Sequence, residues 1–175
     1  MDQRIVIVGF MGCGKTTAAK ALAALLGCGL VDLDAIVSAQ ENLSVPELIN
    51  ERGESGFRDA ETAALQVVLD RQTPRIIALG GGAWTLERNR DLINQHGCLT
   101  VWLDAPYDLC WQRITTHPAP RPLALDQTSA QELYRERHGL YALANIRVGV
   151  TDKMSADDLA TGIAEAIARR TTPSD

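Results

Sequence analysis

The octapeptide Gly9-Phe10-Met11-Gly12-Cys13-Gly14-Lys15-Thr16 constrains this chain most, because it satisfies G-x-x-x-x-G-K-[ST] at every fixed position. Its flanks suit it. The apolar run at 5–8 reads as a buried strand, and residues 17–26 read as a helix ended by Gly27. Strand, glycine-rich turn and helix in that order bring successive backbone N–H groups and the positive end of a helix to one point, a cradle for a polyphosphate. There Lys15 bridges the β- and γ-phosphates, and Thr16 offers its hydroxyl to Mg²⁺. The nucleotide-contacting set expected of this stretch is Gly12, Cys13, Gly14, Lys15, Thr16 and Thr17. The alternative is a strand-to-helix turn that binds nothing. Cys13 lies at a helix N-terminus, so the dipole is expected to favour its thiolate and make it the fastest-reacting cysteine.

Composition narrows the partners. A formal charge of −5, with 22% charged and 46% hydrophobic residues, argues against a nucleic-acid or acidic-membrane surface and for small-molecule ligands. Cys13, Cys28, Cys98 and Cys110 show no C-x-x-C spacing, and no secretory or membrane-spanning pattern is evident, so the expected compartment is the cytoplasm. His96, His117 and His138 share no metal-ligand spacing and are expected at the surface. A chain of 175 residues suits one domain.

Short apolar runs at 5–8, 30–31, 76–79, 99–103 and 146–150 alternate with helical patterns. Five strands separated by helices predict an α/β fold with a parallel sheet covered on both faces. Between the second and third runs, Ser44-Val45-Pro46-Glu47 resembles a capping box, and the helix it starts is expected to stop near Gly53. A second helix follows, with Phe57, Ala60, Ala64, Leu65 and Val68 on its core face. Together, residues 33–62 are expected to form a substrate-side helical insertion. Residues 115–126 hold three closely spaced prolines and read as a mobile lid. Helices are expected at 129–144 and at 155–170, the latter capped by Ser155 and Asp158.

Asp32 and Asp34 end the second run, at the strand edge where open α/β sheets bind ligands. Two residues apart in an extended chain, both side chains face one way. One carboxylate can hold Mg²⁺ through its water shell while the other accepts a proton from an attacking hydroxyl. The alternative is that Asp34 caps a helix and Asp32 solvates the turn. Gly80-Gly81-Gly82 follows the third strand, where bare backbone permits close approach by a ligand or simply a tight turn. Arg58 with Glu61, and Arg137 with Tyr141, have the spacing of helix-surface pairs. Arg121, between two prolines, is placed to close over a nucleotide. An arginine fork elsewhere matches a carboxylate, so the acceptor expected is one bearing both carboxylate and hydroxyl.

Taken together, the 9–16 loop, Asp32-Leu33-Asp34, Gly53-Glu54-Ser55-Gly56-Phe57-Arg58 with Glu61, the glycine triplet, Arg121-Pro122-Leu123 and Arg137-x-x-x-Tyr141 resemble the shikimate kinases, small P-loop proteins related to nucleoside-monophosphate kinases. The similarity runs from about residue 5 to 170. It implies a single three-layer domain over 1–175 with strand order 2-3-1-4-5, and transfer of the ATP γ-phosphoryl group to the 3-hydroxyl of shikimate by a cytoplasmic monomer. By resemblance, Lys15, Asp34 and Arg121 are catalytic; Arg113, Arg121 and Lys153 join the ATP site; Asp34, Arg58, Gly80, Gly81, Gly82 and Arg137 bind shikimate; Thr16 and, through water, Asp32 serve Mg²⁺. Leu79, Ile49 and Leu143 depart from the family's frequent Thr, aromatic and Glu. A gluconate-type kinase of the same fold, or a nucleotide-binding regulatory module, is the alternative.

Overall fold

The structure is a computed structural model that describes residues 3–71, 73–116 and 126–171. Five strands, β1 (Ile5–Val8), β2 (Leu30–Asp32), β3 (Ile76–Ala78), β4 (Leu99–Asp104) and β5 (Ile146–Gly149), form one parallel sheet in the order β2-β3-β1-β4-β5. Register follows the apolar runs. Ile5 pairs with both Ile76 and Leu99, and Val8 lies beside Trp102. The three inner strands are buried almost without interruption, as strands covered on both faces must be, whereas edge strand β5 alternates buried with exposed residues. The order implied by the resemblance is the order found.

Seven helices are described: α1 (Lys15–Leu26), α2 (Leu33–Glu41), α3 (Val45–Asp70), α4 (Glu87–Gln95), α5 (Tyr107–Thr116), α6 (Gln127–Tyr141) and α7 (Ala156–Thr171). Helix α1 packs on α7. Gly27 ends α1 in the left-handed region, its N–H returning to the carbonyls of Ala23 and Ala24. At α3 the predicted capping box is complete: the Ser44 side chain accepts from Glu47 N, and the Glu47 carboxylate accepts from Ser44 N at 2.8 Å.

The predicted stop at Gly53 is a break within α3, with φ 71° and ψ 175°, a combination in effect reserved for glycine. Helical pairing resumes at once, so one long element carries both predicted helices. Beyond the break, Phe57, Ala64, Leu65, Val68 and Leu69 are buried in the main core. Each large apolar side chain among them contributes about 1.5–3 kcal/mol through burial. Arg4 closes the far end, its guanidinium donating to Leu69 O at 2.6 Å and Arg71 O at 2.8 Å. The helix expected at 129–144 starts earlier, because Asp126 caps it by accepting from Ser129 N at 2.9 Å. Ser155 and Asp158 do form the cap expected before α7. Among the described residues, no helix is long and apolar enough to cross a membrane.

Candidate functional site

Chain order puts the chemistry at one edge. Loop 9–14 leaves the C-terminal end of β1, Asp32 ends β2 and the glycine triplet follows β3, so all three meet where β1 and its neighbours diverge. The loop depends on its glycines. Gly9, Gly12 and Gly14 have φ of 144°, 78° and 100°, and a Cβ on Gly12 would lie 2.6 Å from Cys110 O. The loop therefore lies flush against α5. Lys15 Nζ folds over it, donating to Gly9 O at 2.9 Å and Phe10 O at 3.0 Å. Arg113, in the last turn of α5, reaches the same loop through Gly12 O and Cys13 O at 3.4 and 3.3 Å.

Beside the loop, the Thr16 hydroxyl donates to Asp32 Oδ2 at 2.7 Å. The other Asp32 oxygen caps α2 by accepting from Asp34 N at 3.1 Å. The alternative reading of these carboxylates is thereby reversed: Asp32 is the cap, and Asp34 stands in the first turn of α2. Thr16 and Asp32 form a hard-oxygen pair at the mouth of the loop, the donor chemistry that suits Mg²⁺ holding most of its ligands from water and phosphate.

Two cavities open here. A cleft of 550 Å³ is lined by Gly12, Gly14, Lys15, Thr16, Thr17, Asp32, Asp34, Gly81 and Arg113, together with Met11, Leu79, Ile114 and Thr116. A smaller pocket of 70 Å³ is lined by Asp34, Arg58, Gly80, Gly81, Gly82 and Arg137, with Met11, Val45, Ile49, Phe57 and Glu61. Asp34, Gly81 and Met11 line both, so the Asp34 carboxylate stands at the junction of a large and a small site.

The small pocket is built from buried charge. Arg58 and Arg137 are each 8% exposed, and Glu61 is fully buried. Arg58 donates to Glu61 Oε2 at 2.8 Å and to Glu54 Oε1 at 3.0 Å. Burial pushes the Glu61 carboxyl up, against the pull of Arg58, and the nearby Asp34 charge pushes the same way. The two carboxylates keep Arg58 charged despite its own burial. Across the pocket stands Arg137, whose Nη1 is buried, and whose charge lies close enough to Tyr141 to act on that hydroxyl. Bare backbone opposite these groups is obligatory. A Cβ on Gly80 would crowd Glu61 Oε1 and Asp34 Oδ1, and a Cβ on Gly82 would strike the Arg58 guanidinium.

The triplet and the turn after it are held by bonds both to distant α6 and to side chains just downstream. The Tyr141 hydroxyl donates to Gly81 O, and the Trp84 indole N–H donates to Leu140 O at 2.9 Å, tying the turn to α6 at both ends. Buried Asn89 donates to Ala83 O at 2.9 Å, and Arg90 to Trp84 O and Thr85 O at 2.9 and 2.8 Å. The pair Arg137 and Tyr141, four apart on α6, is thus buried machinery rather than a solvated face.

Three expectations fare differently. Cys13 is a fully buried member of the loop, and desolvation raises its thiol pKa despite Lys15, opposite in direction to the thiolate expected at a helix end. Lys153 is exposed and does not line the cleft. Arg121 lies outside the described residues, as does most of the predicted 115–126 lid. Sequence reading missed Glu54, although its spacing of four from Arg58 and seven from Glu61 puts all three on one helix face.

A shikimate kinase family model matches residues 11–168. A shikimate kinase of Ruegeria pomeroyi is 35% identical over 173 residues, covering 97% of this chain and 87% of that protein. Among solved structures, the shikimate kinase from Acinetobacter baumannii in complex with shikimate superposes with a TM-score of 0.89 at 32% identity, covering 98% of this chain and 96% of that one. A gluconokinase from Sinorhizobium meliloti 1021, with a TM-score of 0.62 at 15% identity over 97% and 93% of the two chains, is alike in fold alone. A family match over most of the chain, and a relative this similar along nearly its whole length, establish that the chain belongs to the shikimate kinase family.

Proposed function

We propose that residues of the 550 Å³ cleft hold Mg-ATP, that the adjoining pocket holds shikimate, and that Asp34 joins the two by accepting the proton of the attacking 3-hydroxyl. The observation that carries this reading is that Asp34 lines both cavities. In the transfer, the acceptor oxygen forms a bond to the γ-phosphorus as the bond to the ADP oxygen breaks, and the hydroxyl proton passes to the Asp34 carboxylate. The products are shikimate 3-phosphate and ADP, in the route to chorismate and aromatic amino acids.

Each remaining group has a role consistent with its surroundings. Lys15 exchanges its two loop carbonyls for phosphate oxygens and meets the charge that develops on the transferring group. Loop N–H groups from Gly12 to Thr17 cradle the phosphates, and Arg113 lies against the nucleotide side of the loop. Thr16 and Asp32 would hold Mg²⁺, which when bound offsets charge on the β- and γ-phosphates. Arg58 and Arg137 clamp the acceptor carboxylate, and Gly80, Gly81 and Gly82 let the ring approach the backbone. The role of Arg121 as a phosphate-side lid residue rests on its sequence context. We further infer one catalytic domain, with 33–62 as its acceptor-side part, acting as a cytoplasmic monomer.

Two substitutions separate anchoring from chemistry. Arg137→Ala should raise KM for shikimate about ten- to a hundredfold, the cost of losing a charged hydrogen bond of roughly 1.5–3 kcal/mol, with KM for ATP nearly unchanged. Asp34→Asn should lower kcat while nucleotide binding persists, because an amide cannot take the proton. If Arg137→Ala harmed only ATP binding and Asp34→Asn left kcat intact, the pocket would not be an acceptor site.

A further inference from the structure

We propose that Glu54 is a built-in competitor for the acceptor's carboxylate, an internal anion that occupies the arginine pair until substrate displaces it. The inference rests on the reading that Arg58 and Arg137 bind that carboxylate. Glu54 Oε1 lies 3.0 Å from Arg58 Nη2 and 3.9 Å from Arg137 Nη2, so one carboxylate oxygen stands between the two guanidiniums. The arginine side chains are only 10% and 9% exposed, whereas that of Glu54 is 48% exposed.

That asymmetry separates Glu54 from Glu61. Glu61 is sealed in the core and also pairs with Arg58, so it is a fixed partner. Glu54 can turn into water and recover hydration there, which makes its contact exchangeable. The backbone delivers it for this purpose: the helix breaks at Gly53, in a conformation closed to other residues, and restarts with Glu54 four residues ahead of Arg58. Charge favours exchange too. With Asp34, Glu54 and Glu61 around Arg58 and Arg137, the pocket already carries one more potential negative than positive charge, and an incoming carboxylate meets repulsion unless one anion leaves. Glu54 meets Arg137 only at 3.9 Å, beyond hydrogen-bonding range, so the clamp is incompletely used while Glu54 occupies it. Holding two buried arginines in place without substrate, at a small cost in affinity, is the consequence.

Glu54→Gln keeps the shape and removes the charge. Steady-state kinetics should give a KM for shikimate lowered about two- to fivefold, the size expected when a half-exposed ion pair stops competing, with KM for ATP unchanged. Titration of the nucleotide-free protein with benzoate, a carboxylate without the acceptor hydroxyls, should tighten in the same variant by a similar factor. A KM for shikimate that is unchanged or raised in Glu54→Gln overturns the proposal, since Glu54 would then be neutral or an anchor. Arg137→Ala tests the underlying reading separately. If that variant raises KM for shikimate while Glu54→Gln does not lower it, the carboxylate clamp stands and only the competitor role fails. If Arg137→Ala leaves KM for shikimate unchanged, the clamp and the competitor fall together.

Discussion

Gly82→Ala puts the acceptor pocket to a geometric test. The added methyl would land on the Arg58 guanidinium, which must retreat by about 1 Å to restore an ordinary contact of roughly 3.5 Å. Arg58 has little room, being 8% exposed and held at 2.8 Å by Glu61. A retreat of that size stretches the bond beyond hydrogen-bonding range and misaligns the fork from any carboxylate in the pocket. One charged hydrogen bond contributes about 1.5–3 kcal/mol, so KM for shikimate should rise about ten- to a hundredfold. KM for ATP should hold, because Gly82 lines only the smaller cavity. Gly149→Ala is the control, since its Cβ would meet nothing within 4 Å. A coupled ADP-release assay gives both constants, and circular dichroism reports the fold. A Gly82→Ala enzyme with wild-type KM for shikimate would refute the placement of Arg58 in the acceptor site.

Three further outcomes follow from the same structure. Lys15→Met should keep its circular dichroism spectrum yet retain less than about a tenth of wild-type kcat, since a transition-state charge worth several kcal/mol is lost. Under native conditions an alkylating reagent should modify half-buried Cys28 first and spare buried Cys13 and Cys110 until the protein unfolds; peptide mapping that finds Cys13 labelled first would contradict its burial. Burial pushes the Cys110 thiol up to about 12 from 9.0, so above pH 9 the unfolded chain releases a proton that the folded one keeps, and stability should fall by about 1.4 kcal/mol per pH unit from this group. Cys110→Ala should make the alkaline slope in thermal melts shallower, though buried Cys13, Tyr134 and Tyr141 shift the same way and keep part of it, and an unaltered slope would assign it to them.

Much of the site was legible because its parts are local. The 9–16 loop, the carboxylates ending β2 and the glycines after β3 are short motifs fixed to strand ends, and parallel strands must put those ends on one edge. What escaped is non-local or decided by desolvation. Nothing near Tyr141 announces that its hydroxyl ties down Gly81, sixty residues away. Cys13 looked reactive because a helix end favours a thiolate, but that benefit is smaller than the cost of burying the charge. The adjacent carboxylates could not be told apart as caps from sequence: the alternative gave the cap of α2 to Asp34, whereas it is Asp32 that accepts from the Asp34 N–H. Glu54 was hidden by the break at Gly53, which aligns it with Arg58 and Glu61 only once the second half of α3 is seen as a face.

Acceptor choice tests the central claim most directly. Purified protein supplied with Mg-ATP should be assayed by coupled ADP release against shikimate, gluconate and a nucleoside monophosphate in parallel. The pairing of a buried arginine clamp with Asp34 at the cavity junction predicts a higher kcat/KM for shikimate than for either alternative: gluconate can offer its carboxylate to the arginines, but its flexible open chain must be ordered before a hydroxyl reaches Asp34, whereas a rigid ring presents both groups at once. Gluconate turned over as fast as shikimate, or faster, would contradict it.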